Sequence, residues 1–197
     1  MTGCFTCHKR TDGQCLAYID AKRMQKAIPE SRRDIWSCVF PIVADYCTFI
    51  KPGMKVLDIG CGTWGFLQQY CQNIGAQYEG IDTRTSHRGQ KTVATRIENL
   101  ANLSFPDEYF DIVIGNQTME HWAEHGCTLR WGLYQCFRVC KTEGKVFLNV
   151  PIHFHGTRPF IFGDITLLRK LYTPFSSQVT FTAWGKPCNP LPVIFPN

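Results

Sequence analysis

At 197 residues, with 44% apolar and 19% charged side chains, the chain has the size of one domain and the composition of a globular protein. That balance excludes a disordered chain, and a net charge of +5 with no dense basic run argues against a nucleic-acid footprint. The modest excess of positive charge serves solubility or suits an anionic small molecule. No stretch approaches the ~18–20 apolar residues of a membrane span, and the N-terminus lacks the apolar core of a signal peptide. A cytoplasmic protein without a membrane partner is expected. Eleven cysteines, an odd number without a secretory signal, read as thiols rather than a disulfide framework.

In chain order, residues 1–50 read as a cysteine-containing extension with two helices. Cys4, Cys7 and Cys15, with His8 beside the second, could supply half of a zinc site, but a full site needs four ligands and no second C-x-x-C pair exists. No metal site is assigned. Helices are expected over Ala17–Ala27 and Arg32–Phe49, the second with Ile35, Val39, Ile42, Val43 and Tyr46 at helical spacing and Pro41 inside it. Cys38, Cys47 and Cys136 fall in apolar-periodic segments as small buried residues. After the Lys51-Pro52-Gly53 turn, residues 51–197 read as one α/β domain. Strands are expected at Lys55–Ile59, Gln77–Ile81, Tyr109–Ile114, Lys145–Val150 and Gln178–Trp184, with a last edge strand at Val193–Phe195. Helices are expected at Trp64–Ile74, stopped by Gly75, at Cys127–Cys140 and at Ile165–Leu171. Strands separated by helices imply crossovers, hence a mainly parallel sheet with helices on both faces.

The informative stretch is Val56-Leu57-Asp58-Ile59-Gly60-Cys61-Gly62-Thr63-Trp64-Gly65, an apolar strand running into a glycine turn and a helix. Glycines let the backbone turn sharply and let a ligand approach its amides. The spacing Gly60, Gly62, Gly65 also fits a dinucleotide loop, so the glycines alone are a weak signal. Asp58 separates the readings: a carboxylate at the strand tip repels a pyrophosphate and suits an ammonium or sulfonium ligand. Asp82, 24 residues later at the end of the second strand, is placed to accept ribose hydroxyls or, more plainly, to cap a following helix.

These residues resemble the first motif and the ribose-binding acid of the class I S-adenosylmethionine-dependent methyltransferases. Leu103-Ser104-Phe105-Pro106-Asp107-Glu108-Tyr109-Phe110-Asp111-Ile112-Val113 resembles a later segment of that family, and the resemblance covers residues 50–155. It implies a Rossmann-like three-layer α/β sandwich on a mainly parallel seven-stranded sheet with a reversed last strand, and S-adenosyl-L-methionine as cofactor. It places Gly60, Cys61 and Gly62 under the methionine part, Asp82 on the ribose and Thr83 beside the adenine. It puts Asn99 and Leu100 at the adenine edge and Asn116 at the end of the fourth strand, against the cofactor. Asn99 stands where the family more often has an acid, and an amide can still pair with the adenine amino group.

Methyl transfer asks mainly for alignment and exclusion of water, with a general base where the acceptor is an oxygen. His121, in Asn116-Gln117-Thr118-Met119-Glu120-His121-Trp122, and His153 and His155 follow strand ends on the carboxyl edge of the sheet. Each is a candidate base, imidazole being the side chain that titrates nearest neutrality. Each also reads as a structural histidine. Arg158 could grip a phosphate or carboxylate. Trp64 and Trp122, beside motifs, are the aromatics expected to line a pocket, and Glu120 is expected to stabilise its loop. The segment 150–175 loosely resembles a loop of glycan-pathway methyltransferases. The expected activity is therefore methyl transfer to a small-molecule acceptor, a sugar or glycan precursor among them, with no nucleic-acid partner. A catalytically silent binding subunit and a nicotinamide-dependent oxidoreductase are the alternatives.

Overall fold

The structure, a computed structural model, describes residues 35–150, 165–185 and 189–191. The N-terminal cysteines, the helix expected over Ala17–Ala27, the edge strand expected at Val193–Phe195, and His153, His155 and Arg158 lie outside the described residues. Val43–Val150 forms one compact unit.

Helix α1 (Ile35–Cys47) buries Val39, Ile42, Val43 and Cys47, the stripe its periodicity foretells. Strand β1 (Lys55–Ile59) is buried along all but its first residue, as a central parallel strand covered on both faces should be. Helix α2 (Phe66–Ile74) ends at Gly75, whose φ of +76° lets its N–H and that of Ala76 turn back onto the carbonyls of Gln72 and Cys71. Strand β2 (Gln77–Asp82) follows directly.

Between β2 and the next long strand there is no α-helix. A two-residue hairpin of β3 (Ser86–His87) and β4 (Gln90–Lys91) turns through Arg88 and Gly89, both at positive φ. The short β5 (Arg96–Ile97) and a one-turn 3₁₀ helix (Leu100–Asn102) complete the connection. Leu103 and Phe105 of the second family segment are buried. Arg138 donates to the carbonyls of Leu103 and Phe105 and to Asp107 Oδ1 at 2.7 Å, so this segment holds the loop in place. Strand β6 (Phe110–Asn116), a 3₁₀ stretch (Met119–His125), helix α3 (Leu129–Val139) and strand β7 (Cys140–Asn149) follow.

The sheet order is β5-β2-β1-β6-β7, every pair parallel. From β1 the chain moves outward through α2 to β2, and later in the opposite direction from β6 through α3 to β7. Right-handed crossovers of opposite sense put these two helices on opposite faces, the three-layer arrangement expected. The strand order reverses between β1 and β6, so the ligand crevice belongs at the carboxyl ends of those two strands.

The described sheet has five strands rather than seven, and no reversed strand joins it. Helix α4 (Ile165–Tyr172) lies where the sequence places it. The strand expected over Gln178–Trp184 is confined to β8 (Ala183–Gly185), which pairs antiparallel with β9 (Asn189–Leu191) in a separate two-stranded sheet. Among the described residues no helix is long and apolar enough to cross a membrane.

Candidate active site

The loop after β1 is built for close approach. Gly60 and Gly62 take φ of +65° and +58°, values that cost an L-residue about 1–2 kcal/mol. A Cβ on Gly60 would sit 2.6 Å from Cγ2 of Thr118, the residue two past the end of β6. The glycine thus lets the loops after β1 and β6 meet at the point where the strand order reverses. The loop is also sewn to its neighbours: Cys61 N–H donates to the Ile81 carbonyl at 3.1 Å, and Val93 N–H to the Gly62 carbonyl at 2.8 Å. Gly60 is exposed, while Cys61 is buried and its thiol is pushed up to about 12 by that burial, which keeps it neutral.

Asp82 is 5% exposed and faces this loop. Its Oδ2 accepts the Gly62 N–H at 3.1 Å and its Oδ1 the Arg84 N–H at 2.9 Å. A hairpin, not a helix, follows it, so the capping role is removed. Each carboxylate oxygen keeps a second lone pair for a ligand hydroxyl.

Asp58, also 5% exposed, accepts the Tyr78 hydroxyl at 2.9 Å on Oδ2. Burial pushes its carboxyl up to about 7; the Tyr78 hydrogen bond pulls the other way, and Asp82 adds to the rise. A buried acid raised by a neighbouring acid is best relieved by a cation. The sulfonium and ammonium of S-adenosylmethionine supply one, so the donor set fits that cofactor: bare glycine backbone, a ribose-ready carboxylate and a cation-ready carboxylate.

The other expected cofactor residues are more committed to the protein. Asn99 accepts the Ala101 N–H at 2.8 Å, capping the 3₁₀ turn, and donates Nδ2 to the His125 carbonyl at 2.9 Å. Leu100 is buried, its Cδ2 3.1 Å from where a Cβ on Gly132 of α3 would sit. Thr83 is half-buried next to Asp82. Asn116 Oδ1 accepts from Asn149 Nδ2 at 2.7 Å, and Asn149 Oδ1 accepts from Gln117 Nε2 at 2.7 Å. This amide chain locks the carboxyl ends of β6 and β7 together.

His121, half-buried, places Nδ1 2.9 Å from Glu124 Oε2, and its N–H donates to the carbonyl of Thr118. A carboxylate only accepts, so a neutral imidazole in this pair carries its proton on Nδ1. Burial pushes the Glu120 carboxyl up to about 7. Trp122 is core rather than pocket lining, 4% exposed, packed over Gly132 and donating Nε1 to Thr118 Oγ1 at 3.3 Å. Trp64 stacks on Phe66 at 5.3 Å between ring centres. Thr118, Tyr78, Gln117 and Asn149 are contributors that motif reading missed. Thr118 carries no signal of its own, whereas an amide ending each of two neighbouring strands is a detectable pattern. Among the described residues no cluster of His, Cys, Asp or Glu could hold a metal.

Gly62 offers the cleaner test of the cradle, because a Cβ there meets nothing nearer than the Gly60 carbonyl at 4.0 Å. Gly62→Ala is expected to keep the fold at a strain cost of about 1 kcal/mol and to weaken S-adenosylmethionine at least tenfold. Gly60→Val also drives into Thr118 and should lower the melting temperature as well. Native affinity in a folded Gly62→Ala protein would remove the loop from the binding site.

Residues 57–148 match the family described as a methyltransferase domain. The chain is 34% identical over 107 residues to a sterol 24-C-methyltransferase of Gibberella zeae, covering 48% of this chain and 27% of that protein. It is 28% identical over 160 residues to the mouse protein named probable tRNA methyltransferase 9B, covering 79% of this chain and 35% of the relative. The match thus spans about a third or less of each relative's length. The crystal structure of a SAM-dependent methyltransferase from Aquifex aeolicus superposes with a TM-score of 0.55 at 16% identity, covering 83% of this chain and 92% of that one. That superposition shares the fold. Residues 57–148, just under half of the chain, carry the match to the methyltransferase domain family, in the motif order that resembles the class I S-adenosylmethionine-dependent methyltransferases.

Proposed function

We propose that the chain transfers the methyl group of S-adenosylmethionine to a small-molecule acceptor. The observation that carries this is the meeting of Gly60 with Thr118 at the strand-order reversal, flanked by buried Asp58 and Asp82. In this reading Gly60, Cys61 and Gly62 lie under the methionine part, Asp58 answers its charge and Asp82 holds the ribose. Thr83, Asn99 and Leu100 border the adenine, and Asn116 closes the pocket from β6. The cofactor supplies the activated methyl group. The chain supplies alignment, and for an oxygen acceptor His121, His153 or His155 takes the proton. The fuller sheet of seven strands with the last reversed, and the division at residue 50, belong to the same proposal. Six buried free cysteines among the described residues suit the reducing cytoplasm.

The sugar or glycan precursor loses its basis. It rested on a loop that lies mostly outside the described residues, and the relatives named above act by name on sterol and tRNA. The exclusion of nucleic acid also loses support, since the tRNA methyltransferase relative matches 79% of the chain. An RNA acceptor is the second reading. Incubating the protein and methyl-labelled S-adenosylmethionine with a small-metabolite extract in one arm and total tRNA in the other decides between them. Label in the metabolite arm is the expected result. Label in RNA alone selects the second reading, and no transfer in either leaves the silent binding subunit as the better description.

A further inference from the structure

Asp58 does not stand alone. It pairs in register with Gly80 of β2, and Tyr78, two residues before Gly80, points to the same face of that strand. Gly80 has no side chain, and the space is taken: a Cβ there would lie 2.6 Å from Tyr78 Oη and 2.9 Å from Cε1. The tyrosine ring therefore lies across the glycine and delivers its hydroxyl to Asp58 Oδ2 on the next strand at 2.9 Å. Burial and the facing carboxyl push the phenol far above its ordinary range, so the hydroxyl keeps its proton and always donates.

We propose that Tyr78 is a positioning residue for the cofactor, reaching over Gly80 to hold the Asp58 carboxylate in one orientation for the cationic methionine end of S-adenosylmethionine. The inference rests on the reading of the Gly60–Gly62 loop as the cofactor cradle. A donor on the carboxylate favours its ionised form, the form a cation needs. Besides Tyr78 and burial, the group acting on Asp58 is Asp82 of β2, and Asp58 in turn helps to raise the thiols of Cys61 of the loop, Cys47 of α1 and Cys71 of α2. Burial pushes the three thiols up to about 11, 12 and 12, so they stay neutral through the range that matters. Asp82 raises Asp58 and so opposes Tyr78.

The test is calorimetric titration of the full chain with S-adenosylmethionine from about pH 5.5 to about pH 7.5, below the range where an α-amino group titrates. The sign is fixed: Asp58 sits high in the free protein, a cationic ligand needs it ionised, so affinity climbs with pH through the range around 7 in which Asp58 loses its proton. Tyr78→Phe removes the donor and should move that rise upward by about one pH unit, a loss of roughly tenfold at fixed pH below the plateau. Asp58→Asn should flatten the profile, and adding Tyr78→Phe to it should change nothing further. A Tyr78→Phe protein whose affinity falls equally at every pH, or not at all, overturns the inference while the cradle stands. A flat profile in the native protein overturns it too. A native protein that binds no S-adenosylmethionine overturns the cradle reading and the inference together.

Discussion

Replacing His121 by Gln is expected to lower turnover by about 10²–10⁴-fold, the usual contribution of a general base, for an acceptor that must lose a proton. Cofactor affinity should stay within a few-fold. The position argues for this. His121 lies one turn beyond Thr118 and donates its N–H to the Thr118 carbonyl, and Thr118 lies against Gly60. The backbone of His121 is therefore tied to the loop that borders the proposed methionine cradle. Glu124, 2.9 Å from Nδ1, orients the ring. Glutamine keeps polarity and approximate size but accepts no proton. Single-turnover rates at saturating cofactor check this. A His121→Gln protein with native turnover would leave the work to His153, His155, the raised Glu120 carboxyl or alignment alone.

The second large effect belongs to Asp82. Asp82→Ala should weaken the cofactor at least tenfold, because even one charge-assisted hydrogen bond to a ribose hydroxyl is worth about 1.5–3 kcal/mol. Part of the loss will be local. The carboxylate also holds the Gly62 and Arg84 N–H groups, so the loop loosens when it is removed. Asp82→Asn separates the two contributions, since the amide oxygen still accepts one backbone N–H. Affinities of S-adenosylhomocysteine for the two variants, with their melting temperatures, make the comparison. An alanine variant as unstable as it is weak-binding, with the asparagine variant native in both, would mean that Asp82 serves the loop and not the ribose.

Much of this framework was legible in the residues. The apolar runs of β1 and β6 and the amphipathic periods of α2 and α3 fall within a few residues of where hydrophobic pattern places them. Gly75 stops its helix through its positive φ, as expected. The β3–β4 hairpin was not legible for a physical reason. Its turn is His87-Arg88-Gly89-Gln90, and Arg88 occupies a positive-φ position usually marked by Asn, Asp or Gly. Neither strand has an apolar residue to alternate with the polar ones. Strand β7 starts at Cys140, five residues earlier than expected, because Lys141, Thr142 and Glu143 read as a loop. The register passes from Phe110–Cys140 to Ile112–Lys145, so these residues fall in the irregularity between the paired positions.

The site divides the same way. Gly60, Gly62, Asp58 and Asp82 were visible as a motif because backbone geometry demands those residue types in that order. Thr118 and the Tyr78–Asp58 contact were not, because they depend on which loops and strands lie side by side, which no single segment encodes. Trp122 shows the converse error. Proximity to a motif suggested a pocket, but Gly132 on α3 opens a space that the indole fills from the core side.

The central claim is that the Gly60–Gly62 loop with Asp82 binds S-adenosylmethionine and no dinucleotide. Calorimetric titration of the full chain with S-adenosylhomocysteine, and separately with NADH, tests it directly. Stoichiometric binding of S-adenosylhomocysteine, lost or weakened at least tenfold in Gly62→Ala, and no measurable heat with NADH are the expected results. Binding of NADH in its place, or S-adenosylhomocysteine affinity untouched by Gly62→Ala, would contradict it.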